Sequence, residues 1–424
     1  MINKSIFVFI MMHAICSCQS IRNKTKEITE NKICKKFSRA FNLKSMRSVE
    51  IKENIDSYED FSLEDYCKEY ILQDTVQGNL AHGETKWRPS VGSRFKIADF
   101  DQSERTVPYV KEVKYAEKNS CNLSIRIFMK NPEEQLVLKP AIFIHGGAWQ
   151  YRGVTSSIAV DPVIPYFTDK NYVVFSPFYR LLDEKSGPEE CQSVTGQEIQ
   201  DDILDAFNWI KDNLEKFGVD KNSGFTLAGQ SAGGHLATFL AMEYPDYTEK
   251  VILLYPPLNF RSLLQKTLDG DYPHLKDDET IGKYLFGTGK PPNVNMLDDP
   301  LTKKNSFSDR IKSYEKKPVF MMLHGVKDTL VPFEQSVEFC ENLGKSKTTS
   351  MDIVGGNKIT CGDRKSFLYL SSQGKHMMDL RCFTKNLGFL FPMSFLNSIL
   401  CPSGGEQDSE MTKLYIHDMF EKFL

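Results

Sequence analysis

From about Val107 the chain alternates short apolar runs with stretches in which apolar residues return every three or four positions, a pattern that predicts strands and helices in an α/β layer fold. The strand candidates are VPYVKEVKY, CNLSIRIFMK, PAIFIHG, YVVFSPFY, GFTLAG, KVILLY, KPVFMMLHG and SFLYLS. One helix is legible in detail. In TGQEIQDDILDAFNWIKDNLEKFG, Ile199, Ile203, Phe207, Ile210, Leu214 and Phe217 share one face, so the helix packs on a sheet. Thr195 and Glu198 have the spacing of a capping box, and Gly218 can close the other end. Between Pro256 and about Arg310 the texture turns irregular, with Pro and Gly punctuation, and reads as a cap-like insertion.

Composition narrows the class. With 424 residues, 41% hydrophobic and 26% charged, the chain can bury a full core. The 53 basic and 56 acidic residues leave a formal charge of -3, which attracts neither nucleic acid nor anionic lipid. The opening MINKSIFVFIMMHAICSCQS sets Lys4 before an apolar run from Ile6 to Ile15, too short to span a bilayer and suited to a signal peptide over 1–20. The expected location is therefore secreted or the secretory lumen. Modification of Cys18 as a lipoprotein anchor would change location and leave the chemistry alone, but ICSC matches that processing site poorly. Residues 21–105 read as a partly helical N-terminal extension, 106–400 as the main domain and 401–424 as a helical tail. No transmembrane segment is expected.

Ten cysteines fit export: if Cys16 and Cys18 leave with the signal, 10 - 2 = 8 remain, an even number that suits disulfides without fixing their pairing. Cys361 and Cys382 flank one histidine loop and are open to pairing with each other or elsewhere. Asn23-Lys-Thr and Asn122-Leu-Ser are glycan acceptor triplets.

The chemistry gathers around GFTLAGQSAGGHLATFLAM. Gly229-Gln230-Ser231-Ala232-Gly233 matches G-x-S-x-G between a predicted strand and a predicted helix, a turn so sharp that side chains two before and two after the serine would clash. A serine hydroxyl needs a base, and the base an orienting acid. KPVFMMLHGVKDTLVPFEQS places Asp328 after a strand, and SFLYLSSQGKHMMDL places His376 after another, with Asp379 a weaker rival for the acid. The order Ser231, Asp328, His376 is the one an α/β-hydrolase uses. His235, inside the helix after the serine, reads as packed or capping, and His324, at a strand end, as locally hydrogen-bonded.

AIFIHGGAWQYRG then finds a purpose. An oxyanion formed at the carbonyl must meet fixed N–H groups, and HGG lets the amides of Gly146 and Gly147 approach, with Ala232 as a further donor. Trp149 and Tyr151 are candidates for apolar walls of the entrance, against ordinary packing.

HGGAW, FGVDKNSGFTLAGQSAGGHLA, HGVKDTLVPFEQS and GKH together resemble the α/β-hydrolase superfamily, and within it the carboxylesterase and hormone-sensitive-lipase-like branch, over about Val107 to Leu400. The resemblance implies a mostly parallel sheet with helices on both faces, Ser231 as nucleophile, Asp328 and His376 as its partners, Gly146, Gly147 and Ala232 as oxyanion hole, and no metal or organic cofactor. HGGAWQ with GQSAGGHL is also similar to kynurenine formamidases and prenylcysteine methylesterases. Ala148 stands where many relatives have a third glycine, and VGGNKITCGDRKS looks inserted. The expected function is hydrolysis of a small-molecule carboxylic ester through an acyl-enzyme. The alternatives are amide, formamide or peptide cleavage at the same site, or a non-catalytic hydrolase-fold protein that binds a partner.

Overall fold

The computed structural model describes residues 86–90, residues 105–378 apart from gaps at 135–136, 152–159, 161–162, 183–188, 345–347, 354–355, 373 and 377, and residues 416, 419–421, 423 and 424. The signal segment, most of the N-terminal extension, most of the tail, Asn23, Cys34, Cys67, Asp379, Cys382 and Cys401 lie outside the described residues.

The strands are β1 (Arg88–Pro89), β2 (Tyr109–Lys118), β3 (Cys121–Met129), β4 (Lys139–Ile144), β5 (Tyr172–Pro177), β6 (Phe225–Gln230), β7 (Thr248–Leu254), β8 (Val319–Gly325), β9 (Thr349–Ile353), β10 (Gly356–Thr360) and β11 (Phe367–Ser371). They form one sheet in the order β1-β2-β3-β5-β4-β6-β7-β8-β11-β10-β9. From β5 to β11 the neighbours run parallel, and antiparallel strands close both edges. All eight predicted runs are strands. The stretch that looked inserted contributes β10, which the sequence pattern did not show because GGNKIT has no apolar alternation.

The parallel strands read as unbroken apolar runs because both sheet faces are covered. Within β4, Ile142 and Ile144 join one core cluster while Ala141 and Phe143 join the other, and β7 and β8 divide in the same way. Helices α2 (Gly196–Asn213) and α3 (Ala232–Glu243) fill the first side. The short helix α1 (Ile164–Thr168), with Ile416, Met419 and Phe420 near the C-terminus, covers the second. This is an α/β-hydrolase fold.

Helix α2 forms as its pattern requires. Thr195 Oγ accepts from the Glu198 amide at 3.3 Å, and the Glu198 carboxylate accepts from the Thr195 amide at 2.8 Å. The last turn tightens to a 3-10 helix over Leu214–Phe217, and Gly218 leaves it at a left-handed φ of 72°. The irregular stretch after β7 folds into short helices, α4 (Phe260–Leu268), α5 (Thr280–Phe286), α6 (Pro300–Lys304) and α7 (Phe307–Arg310). Phe260, Tyr284 and Phe307 from these helices are buried in the core beside α3. Among the described residues no helix is long and apolar enough to cross a membrane.

The strand order carries a functional consequence. After β4 the chain builds β5 on one side and then returns to place β6 on the other, so the connections leaving β4 and β6 run to opposite sides of the sheet, the switch point at which open α/β sheets bind ligands. The HGG turn follows β4 and Ser231 follows β6.

Candidate active site

Ser231 sits between β6 and α3 with φ 51° and ψ -121°, a conformation an L-residue holds only when its surroundings impose it. The surroundings here are backbone. A Cβ on Gly233 would lie 2.1 Å from the Ile144 carbonyl oxygen, and one on Gly229 would lie 2.3 Å from that of Gly233. The glycines of G-x-S-x-G therefore let the elbow close and let β4 pack against it. The Ser231 amide donates to Leu254 at 2.8 Å, which anchors the elbow to β7.

Asp328 and His376 come from loops after β8 and β11, which are parallel neighbours. Backbone bonds continue that pairing past the strand ends: Val326 donates to Ser371 and Lys327 to Gly374, each at 2.9 Å. The Asp328 and His376 loops are thus held side by side. His376 Nε2 lies 3.0 Å from Ser231 Oγ, and its Nδ1 lies 2.7 Å from Asp328 Oδ2. The structure brings these three residues together in one hydrogen-bonded chain.

Asp328 is buried, and its Oδ1 accepts the amides of Leu330 and Val331, each at 2.9 Å. Burial pushes its carboxyl up, but the charge of His376 and hydrogen bonds from His324 and His376 outweigh that and hold it well below the usual carboxylate range. The acid therefore stays ionised under the imidazole. Lys375, beside His376, is shifted down by partial burial and then by the nearby charge of Lys327.

The HGG turn lies against Ser231. A Cβ on Gly146 would meet the Gln230 carbonyl oxygen at 2.7 Å and the Ser231 Cβ at 3.4 Å, so only glycine fits there. Gly147 has φ 106°. Neither the Gly146 nor the Gly147 amide donates to a backbone carbonyl among the described residues. Tyr179 braces the turn from behind, stacking on His145 with centroids 4.4 Å apart and donating its hydroxyl to the His145 carbonyl at 3.1 Å. Ala232 opens α3 directly after the serine, where the helix N-terminus favours negative charge.

Trp149 is placed elsewhere than an entrance wall. Ala148 and Trp149 both have left-handed φ, 53° and 57°, and this turns the indole back into the protein, where it is 3% exposed. It packs edge-on against His235 and Phe260 and tilts on Tyr284. Ala148 holds a positive φ, the region that favours glycine. Tyr151 is half-buried and donates its amide to the Gly147 carbonyl at 3.0 Å. His235 is packed as expected, stacked on Phe260, and burial lowers it to about 3, so it stays neutral.

Pattern reading missed Tyr255. This buried residue, with φ 42°, follows β7 and sets its ring 4.6 Å from the His376 ring. The available signal was its place at a strand end before Pro256-Pro257, at the same carboxyl end of the parallel strands as the other site residues. Cys361 pairs with Cys340, not with Cys382, and Cys121 pairs with Cys191. The former choice follows from strand order, which sets the start of the β10–β11 turn against the helix α8 (Glu334–Asn342). Among the described residues no group of His, Cys, Asp and Glu side chains is arranged to hold a metal ion.

The model of the BD-FAE family matches residues 126–343, which is 218 of 424 positions. Esterase LipC of Mycobacterium tuberculosis is 25% identical over 224 residues, 48% of this chain and 49% of that protein. Neutral cholesterol ester hydrolase 1 of Mus musculus is 27% identical over 193 residues, 43% of this chain and 44% of its own. An AB hydrolase superfamily protein of Schizosaccharomyces pombe is 33% identical over 101 residues, covering 24% of this chain and 26% of that protein. The chain spans between a quarter and about half of the length of these relatives. Among solved structures, the propionate-bound esterase 2 of Thermogutta terrifontis is 19% identical with a TM-score of 0.46, over 73% of this chain and 94% of that one.

Proposed function

The chain belongs to the BD-FAE family, and from that premise we propose that it is a serine hydrolase that cleaves carboxylic esters of small molecules through an acyl-enzyme. The observation that carries this reading is the continuous chain from Ser231 Oγ through the two ring nitrogens of His376 to Asp328. Carboxylesterase and ester hydrolase names among the relatives support the ester bond as the one cleaved.

Ser231 Oγ attacks the substrate carbonyl carbon while His376 Nε2 takes its proton. The carbonyl oxygen becomes an oxyanion, which the amides of Gly146, Gly147 and Ala232 receive; each such donor is worth about 10²–10³ in rate. Asp328 accepts from Nδ1, sets the tautomer that leaves Nε2 free as a base, and stabilises the imidazolium. His376 then returns the proton to the leaving alcohol oxygen as the C–O bond breaks. A water deprotonated by the same nitrogen attacks the acyl carbonyl, releases the acid and restores Ser231.

Labelling with a fluorophosphonate tests the assembly. Wild type is expected to label, and Ser231→Ala and His376→Ala are not; a folded, unlabelled wild type sinks the reading. Relative turnover of a matched ester and amide decides between ester and amide cleavage. The disulfides support the expectation that the chain passes through an oxidising compartment.

A further inference from the structure

His324 is a second histidine at the Asp328 carboxylate, and the reaction as proposed gives it no task. It is the penultimate residue of β8, fully buried, and both ring nitrogens are engaged. Nδ1 lies 2.8 Å from Ser336 Oγ. Nε2 lies 2.9 Å from the Val331 carbonyl oxygen and 3.4 Å from Asp328 Oδ2. A carbonyl and a carboxylate only accept, whereas a hydroxyl also donates, so a hydrogen on Nε2 and the Ser336 hydroxyl pointing into Nδ1 satisfy every atom.

This arrangement closes a ring of hydrogen bonds. The Val331 amide donates to Asp328 Oδ1, and its carbonyl accepts from His324, whose Nε2–H also faces Oδ2. The Leu330 and Val331 amides hold one carboxylate oxygen and leave the other to be located by the two histidines. Ser336 is itself a fixed reference. Its helix α8 is tied by Cys340–Cys361 to the turn before β11, and the neighbouring Gln335 Oε1 accepts the amides of Leu258 and Asn259 at 3.1 and 2.8 Å.

Resting on the serine hydrolase reading, we propose that His324 is a positioning residue for the acid: held in one tautomer by Ser336, it locks the Asp328 carboxylate in the plane in which Oδ2 meets His376 Nδ1. It touches neither Ser231 nor the substrate and acts only through Asp328. A glutamine at this position extends its amide N–H to about where Nε2 sits, while the shorter asparagine does not.

The test uses the full chain, a short-acyl p-nitrophenyl ester and fluorophosphonate labelling, with His324→Leu, His324→Gln, His324→Asn and Ser336→Ala. His324→Leu is expected to lower kcat about 10²-fold, with KM within about twofold of wild type. Gln should restore kcat to within about tenfold of wild type, Asn should not, and Ser336→Ala should cost several-fold in kcat alone. A folded His324→Leu protein with unchanged kcat overturns the proposal. Should that variant fail to fold, equal activity of Gln and Asn, or a Ser336→Ala protein indistinguishable from wild type, overturns it instead. A wild type that neither labels nor hydrolyses ester removes the parent reading and this one together; failure confined to the variants removes this one alone.

Discussion

At the scale of single residues the site is built from backbone that bulky side chains would block. Gly233→Ala sets a methyl carbon 2.1 Å from the Ile144 carbonyl, and because the obstacle is backbone, the HGG turn must move away from Ser231. We expect the kcat of this variant to fall at least 10²-fold, roughly the worth of one oxyanion donor, and its thermal midpoint to drop, both read on the purified protein. Asp328 makes a pH prediction. Its folded carboxyl titrates below the unfolded one, so the unfolded chain binds more protons as pH falls past about 4. The stability it contributes is whole above that range and is lost as pH drops towards the folded value. Urea midpoints measured from pH 6 to pH 3 should therefore decline less steeply for Asp328→Asn than for wild type; equal slopes would contradict the shift. Ser231, Asp328 and His376 were legible because each stands in a local pattern of strand, then glycine, then reactive group. Tyr255 and Ser336 were not, because only the packing of β7 and α8 against other elements brings them to the same residues.

Among the elements, α2 shows how far local rules reach. Its face, capping box and glycine stop are all sequence features, and the structure departs only by tightening the last turn. Thr195→Ala should cost about 1 kcal/mol in urea unfolding, the usual value of an N-cap, with kcat unaffected because the cap's hydrogen bonds run to Glu198 and not to Ser231, Asp328 or His376. The turn after β4 shows where local rules stop. An aromatic residue following two glycines reads equally well as a wall or as packing, and the choice is made by three consecutive left-handed residues, Gly147 to Trp149. The rings of His235, Phe260 and Tyr284 then close around the indole. Two of those rings belong to helices in the irregular stretch after β7, which no period in the sequence assigns.

For the molecule as a whole the two disulfides among the described residues divide stability from alignment. Cys121–Cys191 spans 70 residues and Cys340–Cys361 spans 21, so loop-closure entropy makes the first worth about 4 kcal/mol and the second about 3 kcal/mol. Replacing Cys121 and Cys191 with serine should therefore lower the unfolding midpoint more. Replacing Cys340 and Cys361 should lower kcat more, because that bridge joins α8, whose Ser336 bonds to His324 beside Asp328, to the turn leading into β11, the strand before His376. Paired denaturation and kinetic measurements check both halves, and the same order for both quantities would break the division.

The sequence by itself determined the strands that cross the core, the α2 helix, the elbow around Ser231 and the chain order of the reactive residues, since periodicity, capping and glycine spacing are local. Tertiary structure decided the rest. It set β4 beside β6 so that the HGG turn meets Ser231, and β8 beside β11 so that Asp328 meets His376. It also chose Cys340 as the partner of Cys361 and turned Trp149 inward. These outcomes depend on contacts between segments far apart in the chain, whose proximity is set by sheet order and by the burial of both sheet faces, and no local pattern encodes that order.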